Sequence, residues 1–239
     1  MPDDPQPDAR DQAGDVPTPL ESLGSLAALE VELAPDHRHV EIYTEKGLLT
    51  FFRHGPAEAQ DVVLMCGGAL GGVLGPADGL YHDLAVTLAG QGIGTVRVGY
   101  RKPNDLGRCV HDMAAAADLC ARSGAERFVT IGHSFGGAVA LNAGIAFGEH
   151  CAGVVTLATQ SAGCENAEQL GDTPLLLMHG DADQLLPFMA SEMVAMLAGK
   201  GELVPLAGAG HLLTEASDEL RSRLTDWIPA RFSDHRAPA

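Results

Sequence analysis

The chain predicts an α/β domain: a mostly parallel central sheet with an antiparallel hairpin at its N-terminal side and helices on both faces. Two observations predict it. Short apolar runs of strand length alternate with longer helical patterns from Val62 to Phe232, the signature of a parallel sheet covered on both sides. The size also suits one sizeable core, since the chain has 239 residues and is 46% hydrophobic.

The elements follow in order. Val40-Glu41-Ile42-Tyr43 and Leu48-Leu49-Thr50-Phe51-Phe52 flank Thr44-Glu45-Lys46-Gly47, which predicts a hairpin closed by glycine. The alternating part then reads as strand 62–66, helix 78–91, strand 94–98, helix 105–122 and a strand at Phe128-Val129-Thr130-Ile131. After these come helix 135–147, strands 153–158 and 174–178, helix 188–197, strand 203–206 and a last helix over 217–232. That last helix opens with Ser217-Asp218-Glu219, whose acids suit a helix start, and spaces Leu220, Leu224, Trp227 and Ile228 along one face. Trp227 is read as packing. No internal repeat is visible.

Acidic residues outnumber basic ones by 32 to 15, for a formal charge of −17, which argues against nucleic acid or an anionic membrane as partner. Part of the imbalance is local: residues 1–36 hold nine Asp or Glu against Arg10 alone, with several prolines. This segment is expected to be a flexible acidic leader, with residues 37–232 forming one domain and 233–239 a short tail. The start Met-Pro-Asp-Asp lacks a basic region and an apolar stretch, and no run is long enough to span a bilayer, so a soluble cytoplasmic protein is expected. Five cysteines, Cys66, Cys109, Cys120, Cys151 and Cys164, occur without a CxxC pair and read as reduced thiols. The ten histidines are spread along the chain, and no metal site or cofactor is expected.

The chemistry concentrates at Gly132-His133-Ser134-Phe135-Gly136, which joins a β-branched run to an alanine-rich helical segment. An ordinary tight turn would need none of its context. As a nucleophile elbow, it holds a serine at a sharp strand-to-helix turn whose flanking glycines make room for the adjoining strand and helix. Downstream, Leu175-Leu176-Leu177-Met178 leads into His179-Gly180-Asp181-Ala182-Asp183, and Leu203-Val204-Pro205-Leu206 leads to Gly208-Ala209-Gly210-His211. Serine, acid and histidine thus follow three strand-like runs in that order.

This arrangement resembles the α/β-hydrolase family from about His39 to Phe232. The resemblance implies a small serine hydrolase of esterase or thioesterase type, with Ser134 as nucleophile, His211 as general base and acid, and Asp183 orienting the imidazole. Asp181 competes with Asp183; the acid three residues after Gly180 and four before Pro187 fits the family pattern better. His179 is read as a hydrogen-bonded structural residue, and His133 as shaping the surroundings of the serine.

The resemblance also implies an oxyanion hole, with one donor from the N–H of Phe135 and a second from Gly68 or Ala69 in Cys66-Gly67-Gly68-Ala69-Leu70-Gly71-Gly72. Here Cys66 stands where the family often has histidine. The loop lacks the Gly-Lys-Ser/Thr ending of a phosphate cradle, and Cys66 lies outside the elbow, so a buried structural thiol is its expected role. The expected pocket residues are Leu70, Leu74, Tyr81, Leu185, Leu186 and Leu213, an apolar set suited to an aliphatic or aromatic acyl group. Arg101 and Lys102 are alternative contacts for an anionic substrate group. About fifteen residues separate the strands ending near Ala158 and beginning near Pro174, too few for a large lid. The expected partner is a small ester or thioester; a noncatalytic binding protein and a carbon–carbon bond hydrolase remain the alternatives, and oligomeric state is left open.

Overall fold

A computed structural model of the chain describes residues 16–235. Nine strands form one sheet: β1 Ser25–Ala34, β2 His37–Thr44, β3 Gly47–His54, β4 Asp61–Cys66, β5 Gly94–Gly99, β6 Arg127–His133, β7 Cys151–Leu157, β8 Leu175–Gly180 and β9 Glu202–Leu206. Their spatial order is β1-β2-β3-β5-β4-β6-β7-β8-β9. The first three strands run antiparallel and β3 pairs antiparallel with β5; every later pairing is parallel. The sheet is therefore the mostly parallel one expected.

Its central strands are apolar on both faces because both faces are covered. Val63, Met65, Val129 and Ile131 meet α1 (Leu80–Ala89) and α5 (Ser217–Asp234) on one side, through Leu84, Leu88, Leu220 and Ile228. On the other side Leu64, Cys66 and Phe128 meet α2 (Leu106–Ala121) and α3 (Phe135–Phe147) through Met113, Ala116, Val139 and Ala140. The small residues of α3 let it lie close to the sheet, and this pins the serine turn that precedes it. Helix α2 starts at Asp105, whose carboxylate accepts the Arg108 N–H at 3.2 Å. Helix α4 (Met189–Ala198) covers the far end, where Val194 joins Leu175 and Leu177.

Three expectations change. The antiparallel part is a three-stranded unit, because β1 adds to the outer edge of the expected hairpin. Consequently the leader does not extend to residue 36: Leu23 is fully buried, the Leu20 N–H donates to Asp118 on α2 at 3.0 Å, and Ser25–Ala34 is a strand. The alternation Leu29-Glu30-Val31-Glu32-Leu33 carries that strand, and its Glu30 and Glu32 are two of the nine acids that make the segment look like a solvated tail. Arg38 on β2 reaches two of them, Glu30 at 2.7 Å and Glu32 at 3.6 Å. At the other end α5 runs to Asp234, past the expected boundary at Phe232. Residues 1–15 of the leader and 236–239 of the tail lie outside the described residues.

Between β7 and β8 the chain makes only a short turn of 3-10 helix, Ala167–Leu170, so no cap is inserted there. Among the described residues no helix is long and apolar enough to cross a membrane. All five cysteines are buried and unpaired by disulfides.

A basic knot lies where β2, β3 and β5 meet. The His37 and His54 rings stack at 3.8 Å, His82 sits 5.4 Å from His54, and Arg97 contacts His37 at 3.3 Å. His54 is 5% exposed and neither ring nitrogen has a hydrogen-bond partner. Burial first, then the neighbouring His37, Arg97 and His82, push its pKa down to about 3. Unfolding frees this imidazole to bind a proton near its ordinary value of about 6.5, so stability drains as pH falls from there toward 3, at up to about 1.4 kcal/mol per pH unit. His54→Phe should thus lose less denaturation midpoint than wild type between pH 7 and pH 5. Equal losses in the two proteins would contradict this account.

Candidate functional site

The three chemically distinctive residues leave parallel strands of one half of the sheet at the same edge. Ser134 follows β6, Asp183 follows β8 and His211 follows β9. Ser134 has φ 58° and ψ −121°, a sparsely populated conformation for a residue with a side chain. Close packing sustains it. A Cβ at Gly132 would overlap the Gly136 carbonyl, and one at Gly136 would overlap the Gly67 carbonyl of the facing loop. The two glycines that flank the serine are thus required by contact distance, as the sequence pattern implies.

The side chains converge. His211 Nε2 is 3.0 Å from Ser134 Oγ, and His211 Nδ1 is 2.7 Å from Asp183 Oδ2. Because a carboxylate only accepts, Nδ1 carries the proton and Nε2 presents its lone pair to the serine hydroxyl. The other carboxylate oxygen, Asp183 Oδ1, accepts the N–H groups of Leu185 at 2.8 Å and Leu186 at 2.9 Å. Burial works to raise the Asp183 pKa, but the hydrogen bonds from His211, Leu186 and Leu185 prevail and hold it below the usual carboxylate range. Asp181 serves the loop instead. It is exposed, and its carboxylate accepts the Gly208 N–H at 2.7 Å, bracing the segment that leads to His211.

Two further histidines support this chain. His179 is fully buried, with Nδ1 2.7 Å from Ser191 Oγ, Nε2 donating to the Leu186 carbonyl at 2.9 Å and lying 3.3 Å from Asp183 Oδ2. His133 donates from Nε2 to the His211 carbonyl at 2.9 Å, tying the histidine loop to the serine turn. Burial first lowers its pKa to about 4, keeping the ring neutral. Its place inside the GxSxG stretch was the available signal.

A cavity of about 430 Å³ opens over Ser134. Gly68, Ala69 and Phe135 stand around the serine: Gly68 and Ala69 line the cavity, and Phe135 opens helix α3 with its N–H at the helix start. Leu70, Leu74 and Leu185 line it too, all exposed at its rim, Leu70 by 98%. Tyr81, Leu186 and Leu213 do not. Tyr81 is buried beneath the loop and donates its hydroxyl to the Cys66 carbonyl at 2.9 Å. Leu186 instead offers its backbone to Asp183 and His179. Leu213 is fully buried in the core, because the turn in which its N–H donates to the Gly210 carbonyl at 3.0 Å sends Leu212 outward into the cavity in its place. Val73 and Pro76 complete the apolar lining.

The candidate anion contacts also resolve. Arg101 is engaged in a buried pair, Nε to Asp112 Oδ1 at 2.5 Å, and is not offered to the cavity. Lys102 is exposed and lies 3.5 Å from Asp105. The Cys66 thiol faces the carbonyls of Ile131 and Gly136 at 3.5 Å each, and burial pushes its pKa up to about 12, which leaves no thiolate for chemistry. Among the described residues no group of three His, Cys, Asp or Glu is arranged to hold a metal.

These features define the class. A family profile described as alpha/beta hydrolase fold matches residues 101–186, the segment from the end of β5 through the serine turn to the acid loop. Solved structures of the same architecture include Est1E from Butyrivibrio proteoclasticus, with 16% identity, TM-score 0.69, and coverage of 82% of this chain and 99% of that one. Dienelactone hydrolase from Anabaena variabilis has 18% identity and TM-score 0.68 over 85% of this chain and 98% of its own. A monoacylglycerol lipase from Paleococcus ferrophilus has 15% identity and TM-score 0.63 over 77% of this chain and 99% of its own. No curated protein matches the chain. The chain has the α/β-hydrolase fold.

Gly136→Ala tests the packing of the serine turn. The added methyl must displace the Gly67 carbonyl, so the urea midpoint should fall by the equivalent of about 1–3 kcal/mol. An unchanged midpoint would show that the turn and the facing loop are not held in contact.

Proposed function

We propose that the protein is a serine hydrolase that cleaves carboxylic esters or thioesters through an acyl-enzyme. The observation that carries this reading is the continuous hydrogen-bond chain from Asp183 through His211 to Ser134, with the serine exposed to an apolar cavity. A free serine hydroxyl is a poor nucleophile at neutral pH and needs an adjacent base. His211 Nε2 takes the Ser134 proton as Oγ attacks the acyl carbon. Asp183 stabilises the resulting imidazolium through Nδ1, and the N–H groups of Phe135 and Gly68 bind the oxygen that gains charge. His211 then returns the proton to the departing alcohol or thiol. In the second half His211 activates water, which attacks the acyl carbon and releases the acid and Ser134.

The cavity bears on substrate. Its walls are glycine and alkyl groups with Ser134, His133 and His211; exposed Leu70, Leu74, Leu185 and Leu212 stand at the mouth, and no Asp, Glu, Lys or Arg is among the lining residues. Without an inserted cap between β7 and β8, it suits a short or medium apolar acyl group reached from open solvent. The structural neighbours include Est1E, also seen with ferulic acid bound, a dienelactone hydrolase and a monoacylglycerol lipase, and the last two names denote ester hydrolysis.

A panel of p-nitrophenyl esters and acyl thioesters of increasing chain length tests this. Wild type should turn over the shorter members, with Ser134→Ala and His211→Ala each lowering kcat by roughly 10³-fold or more at a nearly unchanged melting temperature. Turnover retained by His211→Ala would overturn the mechanism. Binding of such esters without any cleavage by folded wild type would favour a noncatalytic role.

A further inference from the structure

Two tyrosine hydroxyls close on consecutive carbonyls of the loop that leaves β4. Tyr81, from α1, donates to the Cys66 carbonyl at 2.9 Å, and Tyr100, just after β5, donates to the Gly67 carbonyl at 3.0 Å. The second contact matters for chemistry because the Gly67 carbonyl and the Gly68 N–H belong to one peptide unit. In a planar trans peptide these two groups point to opposite sides, and the described chain contains no cis peptide. Fixing the carbonyl toward Tyr100 therefore fixes the N–H in the other direction. Gly68 borders Ser134 closely enough that a Cβ placed on it would lie 3.6 Å from the Ser134 Cβ.

The loop needs such a restraint. Between Cys66 and Pro76 it contains Gly67, Gly68, Gly71, Gly72 and Gly75, so few side chains help to fix its peptide planes, and the Gly67 carbonyl relies on its packing against Gly136 and on Tyr100. A rotated Gly67–Gly68 peptide would turn an acceptor where the reaction requires a donor. Tyr100 is itself held firmly. The next residue, Arg101, gives its N–H to Asp112 Oδ2 at 2.9 Å and its Nε to Asp112 Oδ1 at 2.5 Å, both side chains being buried. The Tyr100 ring also stands edge-on to Phe135, centroids 6.4 Å apart at 86°. One side chain thus touches both the residue that supplies the first donor and the peptide that supplies the second. Burial pushes the phenol pKa far up, which keeps the hydroxyl protonated and donating.

We propose that Tyr100 is a positioning residue that locks the Gly67–Gly68 peptide with its N–H toward the oxygen of the tetrahedral intermediate. The proposal rests on the hydrolase reading above. It acts only where charge develops, so its loss should appear in kcat and not in ground-state binding.

Tyr100→Phe removes the hydroxyl and keeps the ring. With a p-nitrophenyl ester, and with rates normalised to active sites titrated by covalent inhibitor, kcat should fall about tenfold or more while KM changes less than about twofold. This is smaller than the roughly 10²–10³-fold cost of deleting an oxyanion donor outright, because the freed peptide still samples the right orientation. Affinity for an alkyl boronic acid, which forms a tetrahedral serine adduct, should weaken by a similar factor, while affinity for the product carboxylic acid stays put. Tyr81→Phe serves as comparison: it frees the preceding carbonyl and should lower the melting temperature without the selective loss of boronate affinity. Unchanged kcat per active site in Tyr100→Phe, or equal weakening of boronate and product acid, would overturn the role of Tyr100. Absence of turnover in wild type would instead overturn the hydrolase reading on which it rests.

Discussion

The site depends on keeping one buried carboxylate ionised. Asp183 lies at the carboxyl edge of the sheet with its side chain out of solvent, where an uncompensated charge would be expelled or protonated. The chain meets that demand locally. The turn Gly180–Leu186 folds back so that two successive N–H groups, Leu185 and Leu186, point at one oxygen, leaving the other for His211 and the flank of His179. Once the carboxylate is ionised and fixed, the rest follows by valence. It can only accept, so the facing imidazole nitrogen must donate, and the opposite nitrogen must be the one available to Ser134.

Sheet topology then decides who meets whom. Strands β6, β7, β8 and β9 are parallel and adjacent, so every chain segment leaving them emerges at the same edge. The serine turn, the acid loop and the histidine loop come together because β6, β8 and β9 lie within one run of four parallel strands, despite lying far apart in sequence. Tethers between the loops refine this placement: His133 holds the His211 carbonyl, and Asp181 holds Gly208. The strained backbone of Ser134 is retained because Gly132 and Gly136, on either side of it, pack directly against facing backbone.

Much of this was legible in the sequence, for identifiable reasons. Alternating strand and helix patterns gave the parallel sheet, and the glycine-spaced serine turn and the order of acid and histidine gave the three side chains that meet. Strand β1 was missed because Glu30 and Glu32 alternate with Leu29, Val31 and Leu33, so a charge count and a periodicity count give opposite answers for one segment. The pocket was only half legible. Side-chain direction in an irregular loop depends on turns that no period reveals, which is why Leu212 reaches the cavity and Leu213 the core. Tyr81 and Arg101 misled for a related reason: residue type suggested contact with substrate, whereas their polar atoms are spent on the Cys66 carbonyl and on Asp112. Pairings across the fold, such as His179 with Ser191, leave no trace in local spacing.

The central claim is that Asp183 and His211 together make Ser134 unusually nucleophilic, and covalent labelling reads this directly. Incubation with a fluorophosphonate followed by peptide mass analysis should give one adduct per chain, on the peptide containing Ser134, formed far more slowly in Asp183→Asn. Folded wild-type protein that acquires no adduct, or acquires it on another residue, would contradict the account.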